Sequence, residues 1–165
     1  MTLLEGLVEG NPDTVWHRPA TGALFLQDKK LQVFLQERDD KTIYYPDSYG
    51  LWGGRADHGE TPRQTFFRET FEETGYQVTH HEFLGLYQWS GDDNLDIFVF
   101  RVYEPAITVN DLQVNEGRGG SFFSIDDALR HGVAFDAEKV LEPARTLGQG
   151  YRTTPDMIPG DWRVK

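Results

Sequence analysis

The sequence predicts an α+β domain in which strands are layered between helices, and three observations predict it. Two short runs, Gly22-Ala23-Leu24-Phe25-Leu26 and Leu31-Gln32-Val33-Phe34-Leu35, flank a turn at Asp28-Lys29-Lys30 and read as an antiparallel strand pair. The stretch from Thr61 to Gly75 carries a full set of helix start and stop signals. Further strand patterns follow, then a second helix from about Ala137 to Leu147, and elements alternating in this way settle into an α/β/α layering.

Taken in order, residues 1–20 carry little pattern beyond Leu3, Leu4, Leu7 and Val8, and Asn11-Pro12-Asp13 marks a turn. Arg38 follows the second strand. The segment Asp39–Tyr49 is polar with Tyr44, Tyr45 and Pro46 inside it, and reads either as a pocket wall or as a surface connection. Gly53 and Gly54 open a loop that leads to the first helix. There Thr61 can cap, Pro62 suits the first helical position because its missing N–H would be unpaired anyway, Gln64 completes a capping box, and Gly75 sits where a helix stops. The 3.6-residue period places Phe66, Phe67, Thr70, Phe71 and Thr74 toward a core, and Glu69, Glu72 and Glu73 on the other side.

Beyond the helix, Gln77–Gln88 and Asp96–Tyr103 read as strands around a turn at Gly91-Asp92-Asp93-Asn94. In the second, Ile97, Val99, Arg101 and Tyr103 alternate with Phe98, Phe100 and Val102, so both faces are expected to be covered. Tyr87 and Trp89 have the chemistry to stack on a base, but aromatic residues on a strand are more often core. His80 and His81 are neighbours on a strand and point to opposite faces, so they cannot share an ion. With His17 and His131 they are read as non-functional. Asn115–Phe123 places Glu116 in a glycine-rich loop before an aromatic strand, and Ser124 can cap a short helix through Arg130. Asp136 reads as the cap of the last helix, with Val140, Leu141 and Ala144 on one side of it. The Gly- and Pro-rich tail Gly148–Lys165 either packs on the domain or reaches a partner subunit. The oligomeric state stays open, a homodimer being one option.

Length and composition fit a single domain over 1–165, with 1–20 and 148–165 as flanking extensions: 165 residues at 38% hydrophobic and 13% aromatic content can bury a substantial core. The formal net charge of −11 argues against a surface that binds duplex nucleic acid by neutralising phosphates, yet a small anion can still bind where metal ions supply positive charge. With no cysteine there is no disulfide, thiolate metal site or cysteine nucleophile. No apolar run approaches a membrane span, and Met1–Gly10 lacks the features of a signal peptide, so no membrane partner and a cytoplasmic location are expected.

The chemistry is concentrated between Gly53 and Tyr76. Glu69, Glu72 and Glu73 stand at i, i+3 and i+4 on adjacent turns, where like charges cost a few tenths of a kcal/mol on an open surface. In a cleft of effective dielectric about 20 the cost is roughly 3 kcal/mol per pair, which calls for a positive partner. A hard divalent cation fits, since three carboxylates and a carbonyl of the glycine loop supply oxygen ligands. Arg68 can fix a carboxylate by a bidentate pair. The plainer reading is a solvated acidic helix face, common in so acidic a chain.

The spacing from Gly54 through Glu60 to Arg68-Glu69, Glu72-Glu73 and Gly75-Tyr76 resembles the box of the Nudix hydrolase family. That box reads glycine, five residues, glutamate, seven residues, Arg-Glu, an aliphatic, any residue, Glu-Glu, any residue, glycine and an aliphatic or aromatic. Thr70 departs from it, in a slot normally filled by a bulky aliphatic, and Phe71 beside it is expected to supply the missing core volume. Trp52 replaces a proline common before the glycine pair and is expected to alter the loop at the substrate mouth. Looser similarity runs from about Gly22 to Arg130.

The resemblance implies a curved mixed sheet between helices and hydrolysis of a phosphoanhydride in a nucleoside diphosphate linked to another group. It implies Mg²⁺ or Mn²⁺ on Glu69, Glu72 and Glu73 beside the Gly53 or Gly54 carbonyl, with Glu60 and Arg68 holding loop and helix together. A loop glutamate like Glu116 completes the metal site or acts as base in many members, leaving Glu69 and Glu116 as contenders for that proton. Arg38, Tyr87, Phe135 and Asp136 are candidate contacts to the nucleotide. Two subgroup marks are missing: no proline lies between Pro62 and Pro105, against an ADP-ribose hydrolase, and Gly91 and its neighbours lack a tyrosine, against a dinucleoside polyphosphate hydrolase. The long signature of the NADH-cleaving group is absent too. By elimination the expectation is a (d)NTP pyrophosphohydrolase, with a nucleotide-sugar or other NDP-X pyrophosphatase as the alternative and a non-cleaving nucleotide sensor as a third reading.

Overall fold

The computed structural model describes residues 3–27, 32–89, 91, 94–102 and 119–147. The turn at Asp28-Lys29-Lys30, Asp92 and Asp93, Tyr103, Glu116 with its loop, and the tail from Gly148 lie outside the described residues.

Among the described residues six strands form one mixed sheet: β1 (Pro19–Gln27), β2 (Gln32–Glu37), β3 (Tyr49–Gly50), β4 (His81–Trp89), β5 (Leu95–Val102) and β6 (Gly120–Ser124). The order is β3-β2-β1-β5-β4, with β6 also paired to β2. Only β1 and β5 run parallel, in register from Pro19 opposite Asp96 to Phe25 opposite Val102; the other pairs are antiparallel. The strand pair read from the sequence is therefore present, although β1 begins at Pro19, ahead of Gly22. β4 begins at His81, later than the pattern from Gln77 suggested, and carries an irregularity between Phe83 and Gly85. Leu4 and Leu7, the faint apolar pattern of the first residues, are buried, and Val8 exchanges two backbone hydrogen bonds of 2.9 Å with Leu86. This segment covers an edge of β4 that would otherwise present unpaired N–H and C=O groups.

The β1 strand changes partner halfway along. Phe25–Gln27 pair with β2, whereas the N–H groups of Ala23 and Thr21 donate to the carbonyls of Trp52 (2.7 Å) and Gly54 (3.0 Å). The glycine loop is thereby fastened to the sheet.

Alternation along the strands produces two cores. One face gathers Phe25, Phe34, Trp52, Phe83, Phe98 and Phe100 under helix α1 (Pro62–Thr74), whose Phe66 stacks on Phe100 at 4.4 Å. The other gathers Leu24, Leu26, Val33, Leu35, Ile97 and Val99 under α2 (Ile125–His131) and α3 (Glu138–Ala144). Each fully buried aliphatic or aromatic side chain contributes roughly 1.5–3 kcal/mol, and Phe98 and Val99, neighbours in sequence, serve opposite cores. The expectation that β5 is covered on both faces holds.

The α1 helix has the expected ends. Thr61 accepts from the Gln64 N–H at 3.2 Å and Gln64 reaches back to the Thr61 N–H at 2.9 Å, while Gly75 at φ 71° donates to Phe71 O at 2.8 Å. Its buried face differs from the one expected. Phe71 is only half-buried, and Thr65 and Glu73 are buried in addition to Phe66, Phe67, Thr70 and Thr74. Phe71 thus does not replace the aliphatic absent at Thr70, which is itself fully buried with its hydroxyl unpartnered among the described residues. Trp52 also turns inward: it is fully buried, stacks on Phe34 at 5.3 Å and donates its indole N–H to Phe34 O at 3.2 Å. It fills the core instead of shaping the substrate mouth. At the last helix, Ala137 occupies the capping position without any side-chain cap, and Asp136 instead stands 3.5 Å from Lys139 Nζ.

Candidate active site

Three carboxylates of the box, Glu60, Glu69 and Glu72, meet at the Arg68 guanidinium. Arg68 holds Glu60 by two parallel bonds, Nε to Oε2 at 2.8 Å and Nη2 to Oε1 at 2.9 Å. Glu60 Oε1 also accepts from the Thr65 hydroxyl (2.7 Å) and the Asp57 N–H (2.9 Å). Burial by itself would raise the Glu60 carboxyl, but these hydrogen bonds and the Arg68 charge outweigh it and hold the group at about 2. Arg68 in turn is pushed above its usual range, chiefly by the Glu60 hydrogen bond against desolvation, with the Glu69 charge helping. The bidentate pair expected of Arg68 exists, and its partner is Glu60.

The three helix glutamates are treated differently. Arg68 Nη1 donates to Glu69 Oε1 (2.9 Å) and Glu72 Oε2 (3.1 Å), so one N–H-bearing nitrogen serves two carboxylates. Glu73, only 5% exposed, accepts from the Gly53 N–H at 2.7 Å. It was expected on the open side with the other two. The sheet's approach to the glycine loop buries it, and no group of three or more acidic or imidazole side chains among the described residues stands arranged around one ion position. The donor chemistry still fits a hard divalent ion, since all three side chains end in carboxylates and the Glu72 side chain stays 54% exposed.

Both glycines are required here. A Cβ on Gly53, at φ 146°, would meet Thr21 O at 2.0 Å, and one on Gly54 would lie 2.7 Å from the Glu69 carboxylate carbon. The loop backbone consequently approaches both β1 and the acidic helix as closely as atoms allow.

Glu73, Gly53, Gly54 and Arg55 line one part of a cleft of about 470 Å³, whose remaining walls include Gln36, Thr42, Tyr44, Leu51, Tyr87, Ile97 and Phe135. The polar segment after Arg38 is thus a pocket wall. Arg38 braces it, donating to Tyr44 O (2.9 Å) and Tyr45 O (3.3 Å) with its guanidinium 5.0 Å over the Phe135 ring. Tyr44, Tyr45, Trp89 and Phe135 pack ring to ring, and the Trp89 indole N–H donates to the Tyr45 hydroxyl at 3.1 Å. Tyr87 is buried, as read, and also lines the cleft; its phenol donates to Phe135 O at 2.7 Å. Burial first, then the charges of Asp136 and Glu138, pushes that phenol far above its ordinary value, so it remains a donor. Of the candidate nucleotide contacts, Arg38, Tyr87 and Phe135 line the cleft and Asp136 does not. Gln36 and Arg55, which also line the cleft, were not read as site residues. Only Arg55, directly after the glycine pair, had a signal in its position.

A model of the NUDIX domain matches residues 16–143. The chain belongs to the Nudix family. The fold is similar to the NUDIX domain of Shewanella oneidensis NrtR, solved with ADP ribose, at 20% identity and TM-score 0.65, covering 82% of this chain and 92% of that one. It is also similar to the MutT NUDIX hydrolase of Burkholderia pseudomallei (21%, TM-score 0.64, 76% and 96% covered). A third similar structure is the E. coli ORF135 protein (22%, TM-score 0.63, 78% and 89% covered). NrtR has been solved with a 27mer DNA as well, where this chain covers 61% of that chain. At these identities the likeness is one of fold. No helix among the described residues is long and apolar enough to cross a membrane.

Proposed function

We propose that this protein is a Mg²⁺- or Mn²⁺-dependent (d)NTP pyrophosphohydrolase, with a nucleotide-sugar or other NDP-X pyrophosphatase as the alternative. The observation that carries the reading is the cleft that joins Glu73 and the glycine loop to an aromatic wall: an anhydride end and a base end in one cavity. Glu69, Glu72 and Glu73, with the Gly53 or Gly54 carbonyl, would hold the ion, and Glu116 is the further candidate ligand. When bound, such an ion supplies Lewis acidity at phosphorus and lowers the pKa of water. Glu69 or Glu116 takes the proton from the attacking water. The Glu60 and Arg68 pair keeps loop and helix in register, and Arg38, Tyr87 and Phe135 hold the wall against which a base packs. The net charge of −11 weighs against duplex binding, and absent cysteines agree with a cytoplasmic setting.

The NrtR domain holding ADP ribose, a nucleoside diphosphate joined to a sugar, is the reason to keep the alternative. A sensor that binds without cleaving is disfavoured because Glu69, Glu72 and Glu73 are all retained. Incubating the protein with Mg²⁺ and a panel of nucleoside triphosphates and NDP-sugars tests the reading. Release of a monophosphate and pyrophosphate from a triphosphate is the expected result; ligand returned intact would sink it.

A further inference from the structure

Two polar residues of the cleft wall are deeply buried, and their side chains form no hydrogen bond among the described residues: Thr21 at 7% exposure and Gln36 at 8%. They differ in access. The Thr21 hydroxyl is sealed from solvent, whereas the Gln36 amide is not sealed in this way and, lining the cleft, opens into it. A buried amide left without bonds weakens the fold, and a ligand that supplies them offsets this.

The sheet leaves room at this position. Both cross-strand partners of Gln36 are glycines, Gly50 on β3 and Gly120 on β6. Side chains opposite one another in a sheet normally touch, and here neither neighbouring strand supplies one. At Gly120 the space is taken by the rings of Phe34 and Trp52, each 2.7 Å from where a Cβ would stand. At Gly50 it is open: the nearest atoms to a Cβ there are Arg38 Cδ at 3.6 Å and Ala134 Cβ at 3.7 Å. Both of those residues line the cleft, and Phe135, next to Ala134, is the ring beneath the Arg38 guanidinium. Gln36 therefore shares the open side of Gly50 with residues that carry the aromatic wall.

On the hydrolase reading above, we infer that the Gln36 amide pairs with the edge of the base packed on that wall and selects adenine over guanine. A primary amide presents an acceptor beside a donor. Adenine offers the complementary pair on both of its exposed edges, N6–H with N1 and N6–H with N7. Guanine presents two acceptors, O6 and N7, on one edge, which an amide cannot satisfy together. Its other edge pairs through O6 and N1–H but leaves the N2 amine without a partner.

The test compares wild type, Gln36→Leu and Gln36→Glu on dATP, dGTP, dCTP and dTTP in Mg²⁺, and on binding of dAMP and dGMP in EDTA. ADP-glucose and GDP-glucose replace the triphosphates if the substrate is a nucleotide sugar. Wild type is expected to favour dATP over dGTP by about tenfold in kcat/KM, and dAMP over dGMP by about tenfold in Kd. Gln36→Leu should lower kcat/KM for dATP about thirtyfold, mainly through KM, and for the other three by less than about threefold. Gln36→Glu, which only accepts, should reverse the order, because a carboxylate takes both N1–H and N2–H of guanine. A residue that merely propped the wall would lower all four alike, and the reversal serves as the readout if Gln36→Leu does not fold. A wild type indifferent to the base, equal losses on all substrates, no loss, or a largest loss on a base other than adenine overturns the selector and leaves the hydrolase standing. Selective binding of dAMP without cleavage of any probe overturns the hydrolase and leaves the selector. A protein that neither cleaves a probe nor binds dAMP overturns both.

Discussion

The carboxylates of the box fall into two sets, and they are held in different ways. Glu60 has its own pair of N–H groups plus a hydroxyl and a backbone N–H, and its side chain is 1% exposed. Glu69 and Glu72 divide one nitrogen between them, and Glu73 relies on a glycine N–H at the cleft wall. A buried carboxylate gripped by a guanidinium, a hydroxyl and a backbone N–H is a structural fixture, whereas Glu73 lines the cleft and the Glu69 and Glu72 side chains keep 18% and 54% exposure. Position in the box does not distinguish these roles; burial and access to the cleft do.

Breaking the second set should have the largest effect on chemistry. Glu73→Gln can still accept from the Gly53 N–H, so it is expected to lower kcat by about three orders of magnitude with its melting temperature nearly unchanged. Wild-type turnover in that variant would remove Glu73 from the mechanism. Breaking the first set should show in stability instead. Glu60→Gln leaves Arg68 without its buried partner and should cost about 3–5 kcal/mol in urea unfolding.

Acid sharpens the same contrast. Because Glu60 is depressed in the folded state, its contribution is full above the ordinary carboxylate range near 4.5 and is lost as pH falls toward about 2. The wild-type melting temperature should drop through that window more steeply than that of Glu60→Gln; parallel curves would refute the pairing. Smaller effects are expected away from Arg68. Tyr87→Phe unpairs the Phe135 carbonyl and should cost about 1 kcal/mol while changing KM little, since the phenol acts as a strut within the wall. Thr70→Val removes a buried hydroxyl with no partner among the described residues and should stabilise by about 1 kcal/mol, measured by the same denaturation.

The local signals were legible because they act over a few residues. The capping box at Thr61 and Gln64, the stop at Gly75, the Ser124 cap and the alternation along β5 each depend on neighbours within one turn or one strand. Readings that depended on what packs from elsewhere did worse. Phe71 and Glu73 exchanged expected burial because the glycine loop, held to β1, covers one side of α1. Trp52 turned into the core because Phe34 on β2 offered it a flat partner and a carbonyl.

By itself the sequence determined which residues could do chemistry: the spacing of Gly54, Glu60, Arg68, Glu69, Glu72 and Glu73 is a property of one loop and one helix. Which carboxylate serves the fold and which faces the cleft was decided only in three dimensions. The same holds for the wall that Arg38, Tyr44 and Phe135 build together. The physical reason is that desolvation and hydrogen-bond saturation depend on atoms brought in from distant strands, and no local pattern encodes them.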